Sequence, residues 1–227
     1  MRTKKGETPV LAIPADRRDR EKLMKVIEHA AKVIRDGGVV VTPTETSYAF
    51  AVDATNESAL KKVIELKSDS LEKRGISIIV SDLRMAREYG ELAPEAEFLV
   101  QSFMPGPLTL IVERKNLPSC ISDSGVAFGI SSNVVARLLA QESELPITAT
   151  GVHPAGQLPV YKIDEVKQRL NGKVDLILDA GNLVPLMSAT VVDLRGGQPV
   201  AVREGPLAVK EIFSQLDYFR NQAAVFV

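Results

Sequence analysis

Cysteine and histidine are nearly absent from this chain. Of its 227 residues one is a cysteine, Cys120, and two are histidines, His29 and His153. A single thiol cannot close an internal disulfide or build a thiolate metal cluster, and two imidazoles exclude a multi-histidine metal site. An excess of charge is lacking too: 28 Lys and Arg stand against 29 Asp and Glu, a net charge of −1. That balance disfavours sequence-independent coating of nucleic acid and leaves a local basic groove open. No apolar run reaches the ~18 residues of a membrane span. The first twenty residues are polar and basic without the apolar stretch of a secretory signal, so a soluble, cytoplasmic protein is expected. The spacings GxxxxGK[ST], GxGxxG after a strand, GxSxG and HExxH are all missing.

What is present is ordinary globular material. A hydrophobic fraction of 45% and a charged fraction of 25% exclude bulk disorder and collagen-like fibres. The length suits one large domain or two small ones. Residues 1–20 read as a flexible basic arm, with Val10 to Ile13 able to add a strand. From Glu21 the apolar residues Leu23, Val26, Ile27, Ala30, Val33 and Ile34 recur at helical spacing, and Gly37-Gly38 ends the helix. Strands are expected at 39–42, 48–52, 76–80, 108–112, 125–130, 174–178, 189–192 and 200–203. Asn56 caps a helix through Leu66, Pro94 opens one to about Phe103, and Asn133 caps a third. Further helices are expected over 163–170 and 208–219, whereas 68–74 and 146–160 read as loops. Strands and helices do not alternate strictly. A twisted, mixed α/β sheet in one domain over residues 21–219, with a loose tail at 220–227, fits better than a doubly wound sheet.

Four loop segments crowd polar residues against strand ends. Pro43-Thr44-Glu45-Thr46 offers hydroxyls and a carboxylate for a small polar ligand. Lys67, Lys73 and Arg74 could neutralise phosphates, two as point charges and one as a planar fork. Pro105-Gly106-Pro107-Leu108-Thr109 is a rigid turn that aims Thr109 at a fixed point. Thr148 to Gly156 contains small residues that let a ligand approach the backbone, together with Thr150 and with His153, a phosphate ligand or an acid–base group. Each segment alone also fits a plain turn or a solvated loop.

The order and spacing of these segments resemble the YrdC-like family, whose members include threonylcarbamoyl-AMP synthases. The resemblance rests on Gly37-Gly38-Val39-Val40, Pro43-Thr44-Glu45-Thr46, Tyr48, Asp53-Ala54, Asn56 and Lys67. It continues at Phe103 to Thr109, Ser188 to Asp193 and Val202-Arg203-Glu204-Gly205, and covers about residues 21–214. It implies a twisted α/β fold around a large concave, positively charged cavity. The family synthases join threonine, bicarbonate and ATP, release pyrophosphate and form threonylcarbamoyl-AMP for tRNA modification. Mg-ATP is the expected cofactor complex, and nucleotide (ATP or AMP), double-stranded RNA and tRNA are the expected partners. By resemblance, Thr44, Thr46, Tyr48 and Ser188 border a threonine pocket, and Lys67, Lys73, Thr109, Thr150, His153 and Arg203 face the nucleotide. The chain stops soon after this domain, so the extra C-terminal domain of the longer synthases is expected to be missing.

The departures fall on the synthase signature. The K-x-R motif reads Lys67-Ser68-Asp69, the S-x-N motif reads Gly151-Val152-His153, and the arginine of the GVR strand is Gly129. The tyrosine-glycine pair is Tyr48-Ala49. This pattern resembles the YciO-type branch. It implies a nucleotide- or RNA-binding relative with an altered catalytic signature; an active synthase with a substituted site is the alternative.

Overall fold

The computed structural model describes residues 6–16, 19–67, 75–153 and 157–225. In chain order the elements are β1 (Val10–Ala12), α1 (Arg20–Arg35), β2 (Val40–Pro43), β3 (Tyr48–Ala51), α2 (Glu57–Lys67), β4 (Ile78–Ile79), α3 (Leu83–Tyr89) and β5 (Gly90–Glu91). Then come α4 (Pro94–Phe103), β6 (Leu108–Arg114), β7 (Val126–Gly129), α5 (Val134–Ser143), β8 (Ile147–Thr148), β9 (Thr150–Gly151), α6 (Ile163–Leu170), β10 (Leu176–Asp179), β11 (Thr190–Asp193), β12 (Val200–Arg203) and α7 (Val209–Val225). The result is the expected single mixed α/β domain, with its strands divided between two sheets. No helix among the described residues is long and apolar enough to cross a membrane.

The first sheet has the order β1-β10-β2-β3-β9. Its central strands are apolar on both faces because both faces are covered. Val40, Leu176 and Leu178 pack beneath α1 and α5, while Val39, Val41 and Ile177 join the larger core on the other side. Helix α1 begins where the Asp19 carboxylate accepts from the Lys22 amide at 3.3 Å. It ends at Gly37, whose φ of +78° is cheap only for glycine. Edge strand β1 pairs in parallel with β10, and the Thr8 hydroxyl donates to the carbonyls of Leu170 and Val174. The segment expected to be a loose arm is therefore docked over residues 8–12. The last helix likewise runs past residue 219 to Val225.

The second sheet follows the path β12-β11-β6-β7-β4-β8, with β5 paired to β6. Strict alternation sorts its faces. Leu108, Leu110, Val126 and Phe128 enter the core, so Thr109 and Gly129 are left on the opposite face. Residues 147–151 connect the sheets: Ile147–Thr148 pairs with β4, and Thr150–Gly151 pairs with β3. This stretch reads as loop in the sequence because two-residue strands carry no periodic signal. The cavity described next lies where the chain changes sheets.

Candidate functional site: a polar cavity between the two sheets

A cavity of about 280 Å³ opens at this crossing. Its wall includes Thr44, Glu45 and Thr46 after β2, Lys67 at the end of α2, and Thr109 and Gly129 on the second sheet. Thr150, Gly151 and His153, and then Ser188 and Arg203, complete it. Seven separate stretches of chain thus meet at one place. Lys73 and Arg74, expected beside them, lie outside the described residues, as does Asp69.

The Thr44 turn is held by its own hydroxyl. Thr44 Oγ1 donates to the Ser47 carbonyl at 2.8 Å and accepts from the amides of Thr46 and Ser47 at 3.2 Å each. That network fixes the loop and presents Thr46 to the cavity. The carboxylate of Glu45 accepts a short hydrogen bond from the Ser131 hydroxyl. The paired role of Ser131 has no signal in the sequence, where Ser131-Ser132-Asn133 reads only as a helix cap.

Lys67 is 5% exposed. Its ammonium donates to the carbonyls of Gly151 and His153 at 2.7 Å each, so one side chain clamps the 151–153 corner to α2. Desolvation pulls its pKa from 10.5 down to about 8. Between about pH 8 and 10.5 the unfolded chain therefore keeps a proton that the folded protein has released. By linkage, Lys67's contribution to stability rises with pH across that window. Denaturant melts at pH 7.5, 8.5 and 9.5 should show wild type gaining on Lys67→Met as pH increases; a flat or falling difference refutes the burial assignment.

Arg203 Nε donates to the Ala189 carbonyl at 3.0 Å, joining β12 to the strand that follows Ser188. β12 is exposed along its length, and partial desolvation at the cavity lowers the Arg203 pKa from the ordinary arginine value. Lys67 and Arg203 are the lysine and arginine side chains among the described residues that line the cavity, and Glu45 is their acidic counterpart. No group of three or more His, Cys, Asp or Glu among the described residues could hold a metal ion.

Tyr48 is turned away from the cavity wall. It was expected at the threonine pocket, but its ring is 0% exposed and packs in the core. Its hydroxyl donates to the Gly181 carbonyl at 2.7 Å and accepts from the Ala180 amide at 3.0 Å. Alternation along β3 turns Tyr48 inward and leaves Ala49 on the cavity wall. Gly129 occupies a site with no spare room: a Cβ there would lie 2.9 Å from the Leu108 carbonyl oxygen.

The Sua5/YciO/YrdC family model, described as "Telomere recombination", matches residues 32–205. The chain belongs to the Sua5/YciO/YrdC family. It is similar to the threonylcarbamoyl-AMP synthase of Pyrococcus abyssi, 32% identical over 203 residues, with 88% of this chain and 60% of the relative covered. Its fold matches P. abyssi Sua5 complexed with L-threonine at a TM-score of 0.80 and 29% identity, over 92% of this chain and 60% of that one. It also matches Escherichia coli YciO at a TM-score of 0.78 and 25% identity, over 90% and 99% of the two chains. This chain thus spans about 60% of the Pyrococcus protein and nearly all of the YciO structure.

Proposed function

We propose that the cavity binds an adenine nucleotide through its phosphates and that the amino-acid half of the synthase reaction is weakened in this member of the family. The observation carrying this reading is the convergence of Lys67, Thr109, Thr150, Ser188 and Arg203 on one cavity. Cations and hydroxyls set in a partly dry wall stabilise the charge that spreads over phosphate oxygens as a phosphoryl bond breaks. In this reading Lys67, Thr109, Thr150, His153 and Arg203 face the nucleotide. Thr44, Thr46 and Ser188 border the threonine-like pocket, and magnesium enters as part of Mg-ATP.

The amino-acid side is poorer. A threonine carboxylate seeks a cation, and Gly129 gives it none, while Glu45 puts a negative charge on the same wall. Truncating one partner of a buried hydrogen-bonded charge pair costs about 2–5 kcal/mol. Pure protein given ATP, bicarbonate and threonine is therefore expected to release pyrophosphate at least about 30-fold more slowly than a standard synthase assayed beside it. ADP should still bind in calorimetry. Synthase-like turnover establishes the alternative, an active threonylcarbamoyl-AMP synthase; failure of ADP to bind removes the nucleotide reading altogether.

Double-stranded RNA and tRNA are tested in the same titration. A duplex would have to lie across the mouth of a 280 Å³ cavity, and its affinity would fall steeply with salt, in proportion to the phosphates neutralised. ADP held by Lys67 and Arg203 should show a shallow salt dependence. A steep one with duplex RNA, persisting to physiological salt, favours the RNA-binding reading.

A further inference from the structure

The corner at residues 151–153 holds an unexplained polar atom. His153 Nδ1 is shielded from solvent and has no hydrogen-bond partner among the described residues. A buried polar atom left unpaired costs about 1–3 kcal/mol, and in a native protein it calls for a cause. The same ring borders the cavity. It lies directly over Gly151: a Cβ at 151 would stand 2.7 Å from Nδ1 and closer still to Cε1. A side chain at 151 would require the imidazole to move from this position. The two departures from the S-x-N pattern are therefore one feature, since the ring occupies the space that a residue-151 side chain would need.

We infer that Gly151 and His153 form a matched pair in which the imidazole, seated over the glycine, meets the phosphate of a bound nucleotide and takes up a solvent proton as it does so. This rests on the nucleotide reading above and adds a proton-linked ligand to it. The balance is simple: neutral imidazole plus one proton from water gives imidazolium, which donates to a phosphate oxygen, and no bond to phosphorus forms or breaks.

The surroundings favour such a change on binding. Desolvation, with Lys67 and Arg169 as the nearby positive charges, lowers the pKa of His153 from its ordinary value in the free protein. Arg169 is paired with Glu165 at 2.6 Å on α6, and the Lys67 ammonium is bonded to the carbonyl of His153 itself. Tyr161, Glu45 and Arg203 border the same cavity. A phosphate placed between Lys67 and His153 reverses the sign of the local field, which stabilises the imidazolium.

Only two histidines are present, so proton NMR can follow both rings. His29 is exposed on α1 and serves as an internal reference. Saturating ADP is expected to raise the His153 titration midpoint by about one pH unit or more. Saturable ADP binding with no movement of His153 overturns the inference and leaves the nucleotide site standing. Absence of ADP binding overturns both. The pairing has its own test. Gly151→Ser should weaken ADP binding about tenfold or more, and the double variant Gly151→Ser/His153→Asn should bind better than Gly151→Ser alone, because contacting residues do not add. Additive losses, in variants with wild-type circular dichroism and melting behaviour, refute the matched pair.

Discussion

Lys67→Met is expected to weaken ADP binding by about 30-fold to several thousand-fold, the equivalent of about 2–5 kcal/mol. Methionine keeps the length of the side chain and removes all three donors. The loss is then double. The cavity gives up one of the two cations that line it among the described residues, and the carbonyls of Gly151 and His153 lose the ammonium that bonds both at 2.7 Å. An unpaired buried carbonyl costs about 1–3 kcal/mol where water cannot reach it. Here the cavity admits water, so the stability loss should sit near the low end while the binding loss stays large. Lys67→Arg should not restore binding. The pocket is built around a compact ammonium between two carbonyl oxygens, and a planar guanidinium needs a different arrangement of acceptors. Lys62→Met on the same helix is the control: that ammonium reaches the Gly37 carbonyl at the surface, so affinity should stay within about twofold of wild type. Calorimetry with ADP on the three variants decides the matter. Wild-type affinity in Lys67→Met would mean that the nucleotide is held elsewhere.

Long elements were legible in the sequence because their signals were local. Helix α4 opens at Pro94 and ends at Phe103, the limits its first proline and the Pro105-Gly106-Pro107 break imply. Asn133 accepts from the Val135 amide at 3.0 Å and starts α5 as a capping residue should. Asn56 does the same for α2, accepting from the Ala59 amide at 3.1 Å. Helix α3 carries almost no signal in the sequence. Seven residues bury only Met85, Ala86 and Tyr89, too few turns for a period, and Asp82 at its cap was the one usable sign. Strands β8 and β9 were hidden for the same reason, although they form the joint that makes the cavity.

At the site, residue types were readable and side-chain directions were not. Lys67, Thr109, Thr150, His153, Ser188 and Arg203 do come to one wall. Tyr48 does not, because its direction depends on which face of β3 is buried, and that is a tertiary fact. Glu45 stood in view within the Pro43 loop, but its pairing with Ser131 joins residues 86 positions apart. Gly129 reads in sequence as a lost arginine. In the fold it is also a close approach of backbone to backbone, so an arginine placed there must first displace the Leu108 carbonyl. The departure is therefore built into strand packing as well as into chemistry.

The same kind of backbone contact makes Gly205 a sensitive position away from the cavity wall. A Cβ at 205 would overlap the Ser188 carbonyl oxygen and stand 2.6 Å from the Thr190 nitrogen and 2.7 Å from the Ala189 carbonyl carbon. These are main-chain atoms, so no rotamer change relieves the clash. The turn after β12 would have to lift away from β11. That turn is tied down by the Thr190 hydroxyl, which accepts from the Gly205 amide at 2.9 Å and donates to the Leu207 carbonyl at 2.5 Å. Gly205→Ala should therefore cost about 1–3 kcal/mol through overpacking, a fall in Tm of roughly 2–12 °C for a chain this long. The damage should reach the cavity, because Ser188 and the Ala189 carbonyl that holds Arg203 sit on the displaced strand end. ADP affinity should drop about tenfold or more, as one charge-assisted contact worth about 1.5–3 kcal/mol moves out of place. Gly196→Ala is the matched control, since a Cβ there meets nothing within 4 Å, and it should change stability by no more than about 0.5 kcal/mol. Thermal melts and ADP titrations on both variants separate the outcomes. A Gly205→Ala protein that melts and binds like wild type would show that the β11–β12 junction does not set the position of Arg203.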